Sequence, residues 1–161
     1  MSLKQRVESD QQLARLLQIG IVLEEVTESR ANNHQESLPE PDSELESLLA
    51  SAAEASAAHR NRLEDLIDSL AAESIPFGEI DALVEASYGQ TKPEDFDGVL
   101  YDQLCNEETA YKFYDDVIEA IEASDAAFSV DRDQLLSVLR ELREAEHDAV
   151  ETVTTVMEER E

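Results

Sequence analysis

The chain is poor in the residues that interrupt helices, cross-link folds or bind anions. It has one cysteine, no tryptophan, four glycines, four prolines and only 12 lysines and arginines against 39 aspartates and glutamates. Each shortage excludes something. A single thiol, Cys105, cannot close an internal disulfide or supply a cysteine-based metal cluster, so a small buried hydrophobe is the expected reading. Few glycines and prolines leave long stretches free to be helical. The net charge of −27 repels DNA, RNA and anionic membrane surfaces, so neither nucleic acid nor membrane is an expected partner. No apolar run approaches the roughly 18 residues of a membrane span. The segment Ser2 to Gln12 is too polar for a secretion signal, which makes a soluble, cytoplasmic protein the expectation. Self-repulsion at this charge calls for screening and suggests the high-salt cytoplasm of a halophile. No Rossmann or P-loop glycine pattern occurs.

What is present is helical periodicity. Hydrophobic residues make up 42% of the chain and recur at helical spacing, which argues for a folded protein despite the acidity. A length of 161 residues fits one domain spanning 1–161. A first helix is expected from about Leu3 to Asn33, with Leu13, Leu16, Leu17, Gly20, Leu23, Glu24, Thr27 and Ala31 on one stripe. Ile19, Ile21, Val22 and Val26 widen its apolar surface, which a homodimer would cover. The capping box Ser43-Glu44-Leu45-Glu46 predicts a second helix to about Ala72. Its core face reads Leu45, Leu48, Leu49, Ala52, Ala55, Ser56, His59, Leu63, Leu66 and Leu70. Pro76 and Gly78 break the pattern, with a short helix expected over Glu79 to Ser87. Roughly 18 residues then separate helices two and three, enough to run back along the molecule and set those helices parallel.

Thr91-Lys92-Pro93-Glu94 reads as the cap of a third helix to about Ala123, with Leu104, Glu107, Tyr111, Tyr114, Ile118 and Ile121 on one stripe and Glu108 beside it. The fourth runs from Asp131 nearly to the C-terminus and carries Glu144 and His147, three residues apart and so on one side of the helix. Interior acids are costly unless they are paired or metal-bound. Glu24, His59, Glu107 or Glu108, Glu144 and His147 are therefore the candidate ligands. Carboxylate and imidazole suit iron, manganese and zinc.

Asn106 to Tyr114, Leu142 to His147 and His59-Arg60-Asn61-Arg62-Leu63 together resemble the ferritin-like superfamily, and within it the rubrerythrin-type branch without its rubredoxin-like module. The resemblance covers nearly the whole chain in helix order. It implies an all-α, ferritin-like four-helix bundle with a long crossover between helices two and three. It also implies a two-metal site of iron or manganese, with zinc compatible, that oxidises Fe(II) or reduces peroxide. Within the resemblance, Glu144 and His147 match the second Glu-x-x-His, Glu107 or Glu108 the carboxylate of the helix before it, and Glu24 that of the first helix, for which Glu25 and Glu28 are alternatives. Ser56 stands where the first Glu-x-x-His needs its glutamate, and the two Cys-x-x-Cys pairs of the rubredoxin-like module are missing. A peroxidase of this kind would need an external electron donor. The alternative is a bundle that has lost a complete metal site and serves as an interaction or structural protein.

Overall fold

The computed structural model describes residues 7–73, 78–80, 82, 84, 88 and 98–160. It is all-α, with four long helices among the described residues: α1 (Asp10–Glu36), α2 (Ser43–Asp68), α3 (Val99–Glu122) and α4 (Arg132–Glu159). Residues 78–80, 82 and 84 are also helical: Glu79, Ile80, Ala82 and Val84 fall in the short helix expected there, whereas Gly78, expected to break the pattern, is itself helical. The Thr91–Glu94 box lies outside the described residues.

Local chemistry sets the helix ends. Ser9 caps α1 by accepting from the Gln12 amide at 3.2 Å. Asp42, not Ser43, caps α2, accepting from the Leu45 amide at 3.2 Å; α2 ends at Asp68, short of the expected Ala72. α3 begins after Gly98, whose φ of 108° favours a residue without a Cβ, and so starts later than the proline-containing box predicts. At the C-terminal end of α3 the Arg132 guanidinium donates to the carbonyl of Ile121, in the last turn, and to those of Ser124 and Ala126 in the turn that follows.

Side-chain partners give the directions. Glu24 of α1 meets His59 of α2, while Asp10 near the start of α1 accepts from the Ala71 amide just beyond α2, so α1 and α2 are antiparallel. Arg30 meets Asp102, Glu24 meets Tyr114, and Val7 meets Ser124, so α3 is antiparallel to α1. Arg143 pairs with Asp115 and Arg140 with Glu122, so α4 is antiparallel to α3. Arg62 pairs with Glu141, and Arg160 with Asp42 and Glu44, fixing α2 against α4. α2 and α3 are thus parallel, and the chain between them returns along the molecule. Along the way Arg15 pairs with Glu79, Ile80 and Val84 join the core, and the Tyr88 ring sits edge-on to Phe113 with centroids 5.8 Å apart.

The main core gathers Leu13, Leu16, Leu17, Ile19, Leu63, Phe113, Tyr114, Val117, Ile118, Ile121, Leu135 and Leu139 between the helices. A Cβ on Gly20 would sit 2.6 Å from Phe113 Cε2, so only glycine lets α1 and α3 approach this closely. The α1 stripe from Leu13 to Ala31 is buried as the periodicity predicts. On α2, Ala53 replaces Ala55 in the interior, and Ala55 is exposed. On α3, Tyr111 is exposed and Leu104 only half-buried, because Gln103, Asn106, Glu107 and Ala110 take the inner face. Cys105 is free and half-buried rather than fully interior. His34 is half-buried, its Nε2 2.7 Å from Asp102 Oδ2. Among the described residues no helix is long and apolar enough to cross a membrane.

Candidate metal centre

Halfway along the molecule each helix contributes a titratable side chain to one polar cluster, which buried Ser56, Gln103 and the Tyr114 hydroxyl adjoin. α1 supplies Glu24, α2 His59, α3 Glu107 and α4 Glu146. Glu24 is 1% exposed, Glu146 2% and Glu107 5%. His59 Nδ1 lies 3.3 Å from Glu24 Oε1 and 3.1 Å from Glu146 Oε1, so one ring nitrogen faces two carboxylate oxygens. The Tyr114 hydroxyl donates to Glu24 Oε1 at 2.8 Å, and Gln103 Nε2 donates to Glu107 Oε1 at 2.6 Å. Glu24 Oε2 is buried with no hydrogen-bond partner, as is Gln103 Oε1. Ligand atoms of Glu24, His59 and Glu146 all fall within 4.8 Å of one another.

The electrostatics follow from crowding three carboxyls in a dry space. Burial pushes the Glu146 carboxyl far above its ordinary value, and hydrogen bonding to Glu107 and the charge of Glu24 push it the same way. Glu107 is also raised by burial, against the opposing hydrogen bonds from Glu146 and Gln103. Both shifts favour the protonated over the charged form of these carboxyls. Burial, then the charges of Glu24 and Glu146, hold the Tyr114 hydroxyl firmly protonated. No lysine or arginine joins the described cluster; His59 is the one side chain in it that can carry positive charge.

The structure brings Glu24, His59 and Glu107 together as expected, but not Glu108, Glu144 or His147. Glu108 and Glu144 are exposed. His147 is exposed too, with Nε2 3.2 Å from Glu151 one turn on and its ring 6.1 Å from that of Tyr111. The physical reason is the rotation of α4. Its inner face is Leu135, Leu139, Leu142, Glu146 and Val153, in steps of three, four or seven. Glu144 lies two residues past Leu142 and His147 five, about 200° and 140° around the helix. Glu146 is the residue the sequence reading missed, although its place four after Leu142 was a usable signal. Of the first-helix alternatives, Glu25 is exposed and Glu28 accepts from Arg60 at 3.2 Å. Ser56 is buried beside His59, and Ala149 stands three residues after Glu146, so each half of a paired Glu-x-x-His arrangement lacks one member.

The cluster is reached from outside. α2 and α4 stand apart here, leaving a groove of about 500 Å³ whose floor is His59, Gln103, Glu107 and Glu146. No family model matches the chain, and no curated protein or solved structure matches it.

Proposed function

We propose that this is a metal-binding protein built as a ferritin-like four-helix bundle, with Glu24, His59 and Glu146 holding an iron or manganese ion and Glu107 beside them. Zinc suits the same donors. The observation that carries the reading is the buried Glu24 Oε2, which has no partner and belongs to a group whose ligand atoms lie within 4.8 Å of one another. Carboxylates buried without enough positive charge are costly, and a cation relieves that cost. Three carboxylates and one imidazole suffice for one ion; Ser56 and Ala149 leave a second ion short of the glutamate and histidine a paired site would use.

The neighbouring side chains serve as positioning groups. Tyr114 fixes the Glu24 carboxylate through Oε1 and leaves Oε2 to bind. Gln103 orients Glu107. Glu146 must give up its proton on binding, so metal uptake releases protons and strengthens as pH rises. When bound, iron would supply redox chemistry toward peroxide or toward oxidation of further Fe(II). With no Cys-x-x-Cys pair in the chain, electrons for peroxide reduction would come from an external donor.

Metal analysis of protein purified without chelators tests the proposal. About one equivalent of iron or manganese, lost in Glu24→Ala and Glu146→Ala, is expected. Metal well below one ion per chain, with no uptake of Fe(II), Mn(II) or Zn(II) on reconstitution, would overturn it. A second reading is favoured by the gaps at Ser56 and Ala149: a bundle stabilised by a proton shared between Glu146 and Glu107, without metal. It predicts an infrared band of a protonated carboxylic acid that disappears in Glu146→Gln and is insensitive to added metal.

A further inference from the structure

The groove between α2 and α4 changes character with depth. Its rim carries exposed polar side chains, Ser47 and Ser51 on α2 and Asp148 and Thr152 on α4. Below them Ala52, Ala145 and Ala149 are half-buried, and their small side chains leave the space open. The floor includes His59 and Glu146, two of the three side chains whose ligand atoms lie within 4.8 Å of one another. Glu24, the third, lies 3.3 Å from the same His59 nitrogen and keeps a buried Oε2 without a partner. Behind Glu24 stands Tyr114, fully buried in the main core. A cation cannot cross packed apolar side chains, because it must keep water or protein oxygens around it until its ligands replace them. An open groove of about 500 Å³ that ends on the donors meets that need.

We propose that the α2–α4 groove is the route by which the metal ion enters and leaves. A hydrated divalent cation is drawn to the rim by Asp148 and exchanges its water for His59 and Glu146 at the floor. Glu44 also lines the groove, but it is paired with Arg160 at 2.9 Å, which leaves Asp148 as the rim acid that steers. The proposal rests on the metal-centre reading and adds to it a path. The groove needs no resident molecule: what passes through it is chosen by the donors at its end.

Rates separate a path from a ligand. An obstacle in a passage is met in both directions, so it slows binding and release by the same factor and leaves Kd unchanged, whereas losing a ligand weakens Kd. Stopped-flow binding of Mn(II) by the full chain, and release of Mn(II) to an excess of a chelating dye, give both rates; competition with the dye at equilibrium gives Kd. Ala55→Phe and Ala149→Phe narrow the groove from opposite walls. Each should slow binding and release several-fold, and the double variant at least about tenfold, with Kd within about twofold of the wild type. Ala55 is exposed, so its single variant keeps the fold and gives a reading even if the double variant does not fold. Asp148→Lys should slow binding about threefold more than Glu119→Lys, the same change of charge on an exposed part of α3 outside the groove, and the difference should vanish at about 1 M salt. Wild-type rates in the phenylalanine variants would overturn the route. So would a weakened Kd with an unchanged binding rate, since the walls would then shape the site and not the passage. Equal rates in Asp148→Lys and Glu119→Lys would overturn steering by Asp148. Failure of the metal reading looks different: wild-type protein would bind no Mn(II) at all, and the route would fall with it.

Discussion

Two buried polar networks lie along the same pair of helices, α1 and α3, and they solve the problem of burying acid in opposite ways. Near the end of α1, Asp102 is completely buried, and it meets Arg30 at 3.1 Å, His34 at 2.7 Å and the Asn106 amide at 3.5 Å. A guanidinium supplies the missing charge, its Nη1 donating to Asp102 Oδ1 and to Asn106 Oδ1. Six residues earlier, about 9 Å along the helix axis, Glu24 meets Glu146, Glu107 and a single imidazole, and keeps one oxygen unpaired. The first network is closed by protein groups alone. The second is short of positive charge, holds carboxyls above their ordinary pKa range and opens onto a groove. A charge-matched network stabilises the fold; the undercharged one with a route from solvent is where the proposed metal would sit.

The sharpest way to break this comparison is metal analysis of variants. His59→Ala or Glu146→Ala should lower affinity for iron or manganese by two orders of magnitude or more, on the order of what losing a direct ligand costs. Asp102→Ala should leave metal content unchanged. It should instead destabilise the fold by about 3 kcal/mol in urea denaturation, because Arg30 and His34 would lose the buried carboxylate they share. If Asp102→Ala strips the metal, the two networks are not independent.

A smaller effect is expected between them. Gly20→Ala should cost about 1–3 kcal/mol, although alanine is the better helix former, because its methyl would push into Phe113. A stabilised variant would mean that the ring moves freely and that the α1–α3 approach does not fix Glu24.

The pH response separates the networks further. Folding raises the Glu146 and Glu107 carboxyls above their ordinary 4.5. In metal-free protein the stability tied to their protonated forms is therefore present below that value and is lost as pH rises through the raised folded-state values. Repulsion among the acidic surface groups slopes the same way, so the measurement is the difference from Glu146→Gln, whose amide stays neutral. That variant should gain on the wild type steadily as pH rises above about 4.5, and the gain should vanish when metal is bound. Equal slopes would mean that Glu146 is ionised in the fold.

The smallest effect is expected at His147→Ala and Glu144→Ala. Both residues are exposed, so each should change stability by less than about 0.5 kcal/mol and leave metal content unaltered. Loss of metal in either would show that α4 presents a different face than the one described.

Much of this molecule was legible in the order of its residues. Long apolar periodicity with few breakers requires helices, and the stripes of α1 and α2 put Glu24 and His59 on inner faces because a period of 3.6 leaves those positions little choice. Ser56 and the absent cysteine pairs were equally readable. The fourth helix was different. An alternating acidic sequence offers a carboxylate to almost any face, so Glu144, Glu146 and His147 could not be separated by residue type. The choice between them depends on how α4 is rotated when Leu135, Leu139 and Leu142 are buried together. Glu107 and Glu108 posed the same question, and Ala110 and Tyr114 settled it by packing.

By itself, then, the sequence determined an acidic all-α protein with at least one inward glutamate and one inward histidine, since composition and periodicity are local properties. Only the tertiary structure decided that Glu146 joins them, that Arg30 neutralises Asp102 but not Glu24, and that a groove runs between α2 and α4. Those depend on the relative rotation and spacing of helices, which follow from burying the whole core at once and not from any single stretch of chain.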